Sequence, residues 1–298
     1  MNHAHPSAAL RSWRSGRVAY GAAALATVLV LAVPSALSAP DTPQAGSPWL
    51  RPAGAPPTVI AHRGAPSAAP ENTLVSDEVA RRGGATWIEN DVQPSADGVP
   101  YVLHDATVDR TTDGSGPIRS LTAARIDALD AGSWFAPAYA GVHVPTLAAQ
   151  LADLRARGGN LLLEIKGRHS REEVARIVRE VREQSMTDRV LVQSFDLRSL
   201  AYVRELAPEL PVGLLRASLD ADPVDVAEEL GLSAYNVSDT ALATRPRVVG
   251  ELHAAGVAVN VWTVDKPERW KALDVLGVDG VITNRPTEMA GWNAGRDR

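Results

Sequence analysis

Strand-like and helix-like runs alternate along most of this chain, and that alternation limits the folds open to it more than any single residue does. Strand candidates are the short apolar, β-branched runs Thr58–His62, Thr86–Val92, Leu161–Ile165, Val190–Phe195, Val212–Leu215, Ala234–Val237, Val257–Val264 and Gly280–Thr283. Helical patterns lie at Leu74–Arg82, Leu147–Arg157, Ser170–Gln184, Leu197–Leu206, Pro223–Leu230, Pro246–Ala255 and Pro267–Leu276. Pro223, Pro246 and Pro267 stand where a first helical turn tolerates a missing N–H, and Gly83-Gly84 ends the first helix. Strands separated by helices must lie parallel with right-handed crossovers, and eight such units close a barrel. The expected fold is of the α/β class, a (β/α)8 TIM barrel. A doubly wound open sheet is the alternative, but no Gly-x-Gly-x-x-Gly follows the first strand.

The alternation fails in two places. Ala106 to Thr146 is a loop and hairpin excursion after the second strand, with a short helix near Leu121 to Leu129. The other is the N-terminus. Arg11, Arg14 and Arg17 form a basic region with no acid among the first forty residues, and Val18 to Val33 is then nearly all apolar. That run is shorter than the ~20 residues a membrane-spanning helix needs. Ala36-Leu37-Ser38 supplies the small residues of a cleavage site before Ala39. Residues 1–38 are expected to be a signal peptide, with an uncleaved membrane anchor as the alternative. The expected location is outside the cytoplasm, with peripheral membrane or envelope association through the anchor as a further option. Residues 39–57, rich in Pro, Gly, Ser and Ala, read as a linker, and 58–298 as the barrel domain.

Charge falls where such a barrel would carry its site. Glu89 and Asp91 are two apart in a strand and share a face. Asp97-Gly98 is a hairpin signal, and the return run Val99–Leu103 delivers His104 and Asp105 beside them. Leu161-Leu162-Leu163-Glu164-Ile165-Lys166 places two charges on one face of an otherwise buried run, where either would be costly unpaired. A structural Glu–Lys pair would satisfy that run, as a solvated hairpin would satisfy Glu89 and Asp91. Neither explains why these groups fall at C-terminal strand ends together with His62-Arg63, Gln193-Ser194, Asn236, Trp262 and Asn284. Clustered carboxylates suit a hard divalent cation, and a nearby His suits proton transfer. With a net charge of −5 and no basic patch interleaved with aromatics, nucleic acid is set aside as a partner. The absence of cysteine excludes disulfides and thiolate metal sites.

The ordered set His62-Arg63-Gly64, Pro70-Glu71-Asn72-Thr73, Glu89-x-Asp91, Asp97-Gly98, His104-Asp105 and Arg110-Thr111-Thr112-x-Gly114-x-Gly116 resembles the glycerophosphodiester phosphodiesterases. Leu163-Glu164-Ile165-Lys166, Gln193-Ser194-Phe195, Val261-Trp262-Thr263-Val264 and Asp279-Gly280-Val281-Ile282-Thr283-Asn284 continue the likeness, which runs from about residue 58 to 287. One departure is Asp265, where the family usually has Asn, a change expected to touch only the rim. The excursion is also too short to hold a separate inserted domain. The resemblance implies metal-dependent hydrolysis of glycerophosphodiesters to glycerol 3-phosphate and an alcohol. It implies one divalent cation, Ca²⁺ or Mg²⁺ with Mn²⁺ also suitable, held by Glu89, Asp91 and Glu164. His62 and His104 would be the acid–base pair, and Arg63 and Lys166 would bind the phosphate. A glycerol hydroxyl would attack first, giving a cyclic intermediate that water opens. In one direction His104 takes the hydroxyl proton and His62 protonates the alcohol; the reverse fits the sequence equally. Trp262 would meet the glycerol or a choline-like head group, or else pack in the core. Glu71 and Asn72 are expected to brace the first loop, and His143, His169 and His253 to lie on the surface. Two alternatives remain. One is a phospholipase D-type hydrolase of lysophospholipids or sphingomyelin, whose members generally rely on disulfides. The other is a non-catalytic envelope protein that binds phosphorylated polyols.

Overall fold

A computed structural model of the protein describes residues 49–296. The signal segment and residues 39–48 of the expected linker lie outside the described residues.

The chain runs β1 (Thr58–His62), α1 (Leu74–Arg82), β2 (Trp87–Pro94), then β3 (Pro100–Val102) as a hairpin return. An excursion carrying α2 (Ala123–Ile126) leads to α3 (Leu147–Arg157) and β4 (Asn160–Ile165). Next come α4 (Arg171–Glu183), β5 (Val190–Ser194), α5 (Leu197–Leu206), β6 (Val212–Arg216), α6 (Pro223–Leu230) and β7 (Ala234–Ser238). The chain closes with α7 (Asp239–Leu242), α8 (Val248–Ala254), β8 (Ala258–Trp262), α9 (Pro267–Leu276), β9 (Gly280–Thr283) and α10 (Pro286–Gly295). Because β1 pairs in parallel with both β2 and β9, the eight parallel strands close into a (β/α)8 barrel. β3 adds antiparallel to the far end of β2, at Val92–Val102 and Gln93–Tyr101.

Period-two alternation sorts each strand between two cores. Ile88, Val92, Leu161, Leu163 and Ile165 face outward under the helices, with Leu151, Val174 and Val178 packed on them. Ile60, Leu162, Leu191, Ala234, Ala258 and Ile282 face inward and fill the N-terminal half of the barrel. The excursion has its own small core of Tyr101, Leu103, Val108, Ile118, Ile126, Ala131 and Val144, so it is ordered and not a structureless loop. Several helices begin where a side chain takes an otherwise orphaned N–H. Thr73 accepts from Ser76, Thr146 from Ala149, and Ser170 forms a capping box with Glu173.

The last part of the expected linker is a plug. Trp49 and Leu50 pack on the barrel's inner core, with Trp49 edge-on to Trp87 at 6.0 Å. Arg51 ties the segment down, its backbone N–H donating to Asp279 (2.8 Å) and its guanidinium to Asp274 (2.7 Å). Surrounding Pro and Gly residues hide the two apolar side chains that cover the barrel floor.

One buried acid joins α1 to β2 and α3. Asp77 accepts hydrogen bonds from Asn90 on β2 (3.1 Å) and Gln150 on α3 (2.8 Å), while the oxygens of both amides have no partner among the described residues. Burial outweighs those donated bonds and pushes the Asp77 carboxyl up from 3.8 to about 7. Between those values the folded chain holds a proton that the unfolded chain has lost, so Asp77's contribution to stability falls as pH rises from about 4 to 7. The loss is at most ~4 kcal/mol at 1.36 kcal/mol per pK unit. In Asp77→Asn the two amides can turn their free oxygens inward. Urea unfolding at pH 5 and pH 8 should then show a smaller difference for the variant than for the wild type; equal differences would remove Asp77 as the cause.

Candidate active site

The inward residues at the C-terminal ends of the strands are polar where those nearer the floor are apolar. Strand register fixes their meeting. Glu89 lies beside His62 across β1 and β2, and Asp91 beside Glu164 across β2 and β4. One oxygen from each of Glu89, Asp91 and Glu164 falls within 4.8 Å of the others, and all three residues are buried. Lys166 Nζ reaches Glu164 at 2.9 Å and Asp91 at 3.5 Å. Arg63 Nε lies 3.4 Å from Asp91 and has no hydrogen-bond partner among the described residues, and the Arg63 backbone N–H donates to Glu89. Arg63 holds a positive φ of 55°, a strained setting for a long side chain. Asn72, also at positive φ (56°), donates from its amide to Asp91 at 3.0 Å.

The electrostatics follow from burial and crowding. Burial, then the charges of Asp91 and Glu164, push Glu89 well above the usual carboxylate range. Burial and Asp91 likewise raise Glu164. Burial works against Asp91 too, but Lys166 and Arg63 together outweigh it and hold that carboxyl low. Three buried carboxylates at this separation repel one another, and oxygen donors alone suit a hard divalent ion. The residues present therefore fit such an ion.

Both histidines named from the sequence border this cluster. His62 Nδ1 meets Asn284 Oδ1 at 2.7 Å, and its Nε2 lies 3.9 Å from Glu89. Burial and the adjacent Arg63 lower the pKa of His62 to about 4. His104 Nδ1 instead meets a carboxylate, Asp105 Oδ1, at 2.6 Å. Asp105 also accepts from Arg110 Nε (2.6 Å). Arg110 spans to Glu71 through both terminal nitrogens, and Glu71 accepts from Arg63 at 2.8 Å. One chain of polar contacts thus runs His104–Asp105–Arg110–Glu71–Arg63. Glu71 and Asn72 do brace the first loop, and each also holds a residue of the cluster. The sequence marks Arg110 only as part of a motif; its partner 39 residues away leaves no local signal.

Beneath the cluster, three amides cross the barrel. Gln193 Nε2 donates to Glu89 Oε1 (3.1 Å), Asn236 Nδ2 to Gln193 Oε1 (2.7 Å), and Asn260 Nδ2 to Asn236 Oδ1 (2.9 Å). Glycine makes room for them. A Cβ on Gly213 would sit 2.9 Å from the Asn236 amide nitrogen, and one on Gly280 would fall on the Asn260 side chain. Trp262 donates from its indole to the Asn236 carbonyl and meets Phe195 edge-on at 5.6 Å. Trp262 and Phe195 border the same opening as His62, Arg63, His104 and Lys166.

Of the described histidines outside the motifs, only His143 is exposed as expected. His169 is buried instead, and burial together with Arg119 lowers its pKa to about 4. His253 is half-buried and pairs with Asp279 at 2.8 Å. Among the described residues no helix is long and apolar enough to cross a membrane.

Comparison with known proteins gives a consistent answer. The model of the glycerophosphoryl diester phosphodiesterase family matches residues 62–288. A glycerophosphodiester phosphodiesterase of Caldanaerobacter subterraneus subsp. tengcongensis is 36% identical over 235 residues, which cover 78% of this chain and 95% of that protein. One from Bacillus subtilis is 34% identical over 244 residues, covering 76% and 83%. Among solved structures, an Oleispira antarctica phosphodiesterase in complex with the product sn-glycerol-3-phosphate superposes with a TM-score of 0.76 at 31% identity, covering 79% of this chain and 96% of that one. An Agrobacterium tumefaciens glycerophosphodiester phosphodiesterase gives a TM-score of 0.71 at 33% identity, covering 79% and 99%.

Proposed function

The chain belongs to the glycerophosphoryl diester phosphodiesterase family of phosphoric diester hydrolases, and on that premise we propose that it hydrolyses glycerophosphodiesters to glycerol 3-phosphate and an alcohol with the help of one divalent cation. The observation that carries this reading is the meeting of three buried carboxylates, two cationic side chains and two histidines at one mouth of the barrel. Their charges add to −3 + 2 = −1. A divalent ion on Glu89, Asp91 and Glu164 turns this to +1, which a phosphodiester monoanion neutralises. When bound, that ion supplies charge neutralisation and polarisation of a phosphoryl oxygen. Ca²⁺ and Mg²⁺ suit the oxygen donors best, and Mn²⁺ is also compatible.

The protein's own groups then account for binding and proton movement. Arg63 and Lys166 hold the phosphate oxygens. Trp262 and Phe195 offer an apolar corner to the glycerol or the head group. The histidine partners favour one direction. His104 Nδ1 meets the Asp105 carboxylate, the partner that orients a donor ring, whereas His62 Nδ1 meets only the amide oxygen of Asn284. His62 Nε2 accordingly takes the proton of the glycerol hydroxyl next to the phosphate. That oxygen bonds to phosphorus, the bond to the departing alcohol breaks, and His104 protonates the alcohol. In the second half His104 takes a proton from water, whose oxygen opens the cyclic phosphate, and His62 returns its proton to the glycerol oxygen. The product complex of the Oleispira antarctica relative supports glycerol 3-phosphate as the product.

The test is a panel of purified enzyme reactions on glycerophosphocholine, glycerophosphoethanolamine, lysophosphatidylcholine and sphingomyelin. Turnover confined to the two glycerophosphodiesters is expected. Preference for sphingomyelin or the lysolipid would instead establish the phospholipase D-type reading, and no turnover on any would favour a phosphorylated-polyol binder. We further propose that the enzyme works outside the cytoplasm, on the strength of the basic, apolar and small-residue order of residues 11–39. Mass spectrometry of protein from its native host should find a terminus near Ala39. A cytosolic protein beginning at Met1 would refute this.

A further inference from the structure

We propose that Asp265 is a positioning residue that sets the tautomer of His62 through the side-chain amide of Asn284. The consequence for turnover rests on the role given to His62 above; the tautomer itself does not.

Each group in this chain of contacts is fixed as a donor or an acceptor by its chemistry. Asp265 sits just beyond β8 and accepts three hydrogen bonds from the end of β9. Its Oδ1 accepts from the Asn284 backbone N–H (2.8 Å) and the Thr283 hydroxyl (3.0 Å), and its Oδ2 from Asn284 Nδ2 (2.7 Å). A carboxylate only accepts, so the Asn284 amide must turn its NH₂ toward Asp265. Its Oδ1 is then left facing His62 Nδ1 at 2.7 Å. An amide oxygen also only accepts, so Nδ1 must carry the proton. In the neutral ring the lone pair falls on Nε2, the nitrogen toward the carboxylate cluster. Glu89 is 3.9 Å from Nε2, too far for a hydrogen bond that would draw the proton there. Two successive obligations thus deliver His62 as a proton acceptor at the side where the reaction needs one. Asp265, expected to alter only the rim, lies at the start of that chain.

Substitution should pass along the same contacts. In Asp265→Asn the remaining oxygen is needed by the Asn284 N–H and the Thr283 hydroxyl, so the new NH₂ faces the Asn284 side chain. Asn284 must turn over to accept from it and present its own NH₂ to His62. His62 Nδ1 then becomes an acceptor and the proton moves to Nε2. Combining Asp265→Asn with Asn284→Asp restores an acceptor against Nδ1 and returns the original tautomer.

Nitrogen-15 NMR of the full chain labelled at histidine reads this directly, with the His62 signals assigned by their loss in His62→Gln. Expected are a protonated Nδ1 in the wild type, a protonated Nε2 in Asp265→Asn, and a protonated Nδ1 again in the double variant. The kcat of Asp265→Asn should fall roughly 10²-fold or more with KM little changed, because a wrongly protonated base cannot accept. A wild-type ring protonated at Nε2, or an unchanged tautomer in Asp265→Asn, overturns the proposal. Should the single variant fail to fold, the wild-type tautomer and the double variant decide the matter alone. A flipped tautomer with undiminished kcat would uphold the positioning by Asp265 and remove His62 from the chemistry.

Discussion

Turnover on glycerophosphodiesters is expected to fall about 10²–10⁴-fold in His62→Ala and again in His104→Ala, the range that one general acid or base supplies. Stability should change little in either. Among the described residues the His62 ring hydrogen-bonds Asn284, which Asp265 continues to hold, and stands 3.9 Å from Glu89. His104 is partly exposed, and Asp105 keeps Arg110 when the ring is gone. Neither ring is needed as a ligand, because the three carboxylates already supply the oxygen donors a hard cation prefers. The discriminating pair of measurements is kcat beside metal affinity. Loss of turnover with metal affinity kept supports proton transfer. Near-wild-type turnover in a correctly folded variant would end the acid–base assignment, and loss of metal binding in His104→Ala would make that residue a ligand.

Removing the metal should have an effect at least as large. Without a cation, Glu89, Asp91 and Glu164 repel one another in a buried setting, which is why burial and its neighbours raise Glu89 so far. An ion that binds only the folded chain stabilises by mass action, ~2.7 kcal/mol at a hundredfold excess over its dissociation constant. EDTA should therefore abolish turnover and lower the melting temperature together, and Ca²⁺ or Mg²⁺ should restore both. Glu89→Gln separates the two contributions. Its amide oxygen can still accept from Gln193, so the floor of the site is kept, while one repelling charge is lost. The metal-free variant should melt above the metal-free wild type and gain less from added metal. Equal gains in the two proteins would show that Glu89 does not hold the ion.

Much of the fold and the site is legible in the sequence because the governing rule is local. Period-two alternation alone puts Glu89 on one face with Asp91, and Glu164 with Lys166, and β9 begins and ends where its apolar run does. What stays hidden depends on register between distant strands. Nothing near Gln193, Asn236 or Asn260 announces that they form one chain of amides; their neighbours across the barrel decide it. Arg110 pairing with Glu71 and Asp265 pairing with Asn284 are non-local in the same way. Weak periodicity hides α10, whose ten residues include Gly291 and Gly295. A composition rich in Pro and Gly disguises Trp49 and Leu50 as linker although they plug the barrel floor.

The most direct measurement follows glycerophosphocholine by phosphorus-31 NMR with the purified enzyme, first stripped of metal and then given one equivalent of Ca²⁺ or Mg²⁺. The expected record is silence in the stripped sample, then growth of the glycerol 3-phosphate resonance once the ion is added, with choline released in equal amount. Appearance of phosphocholine in place of glycerol 3-phosphate, or the same rate before and after metal is added, would contradict the account.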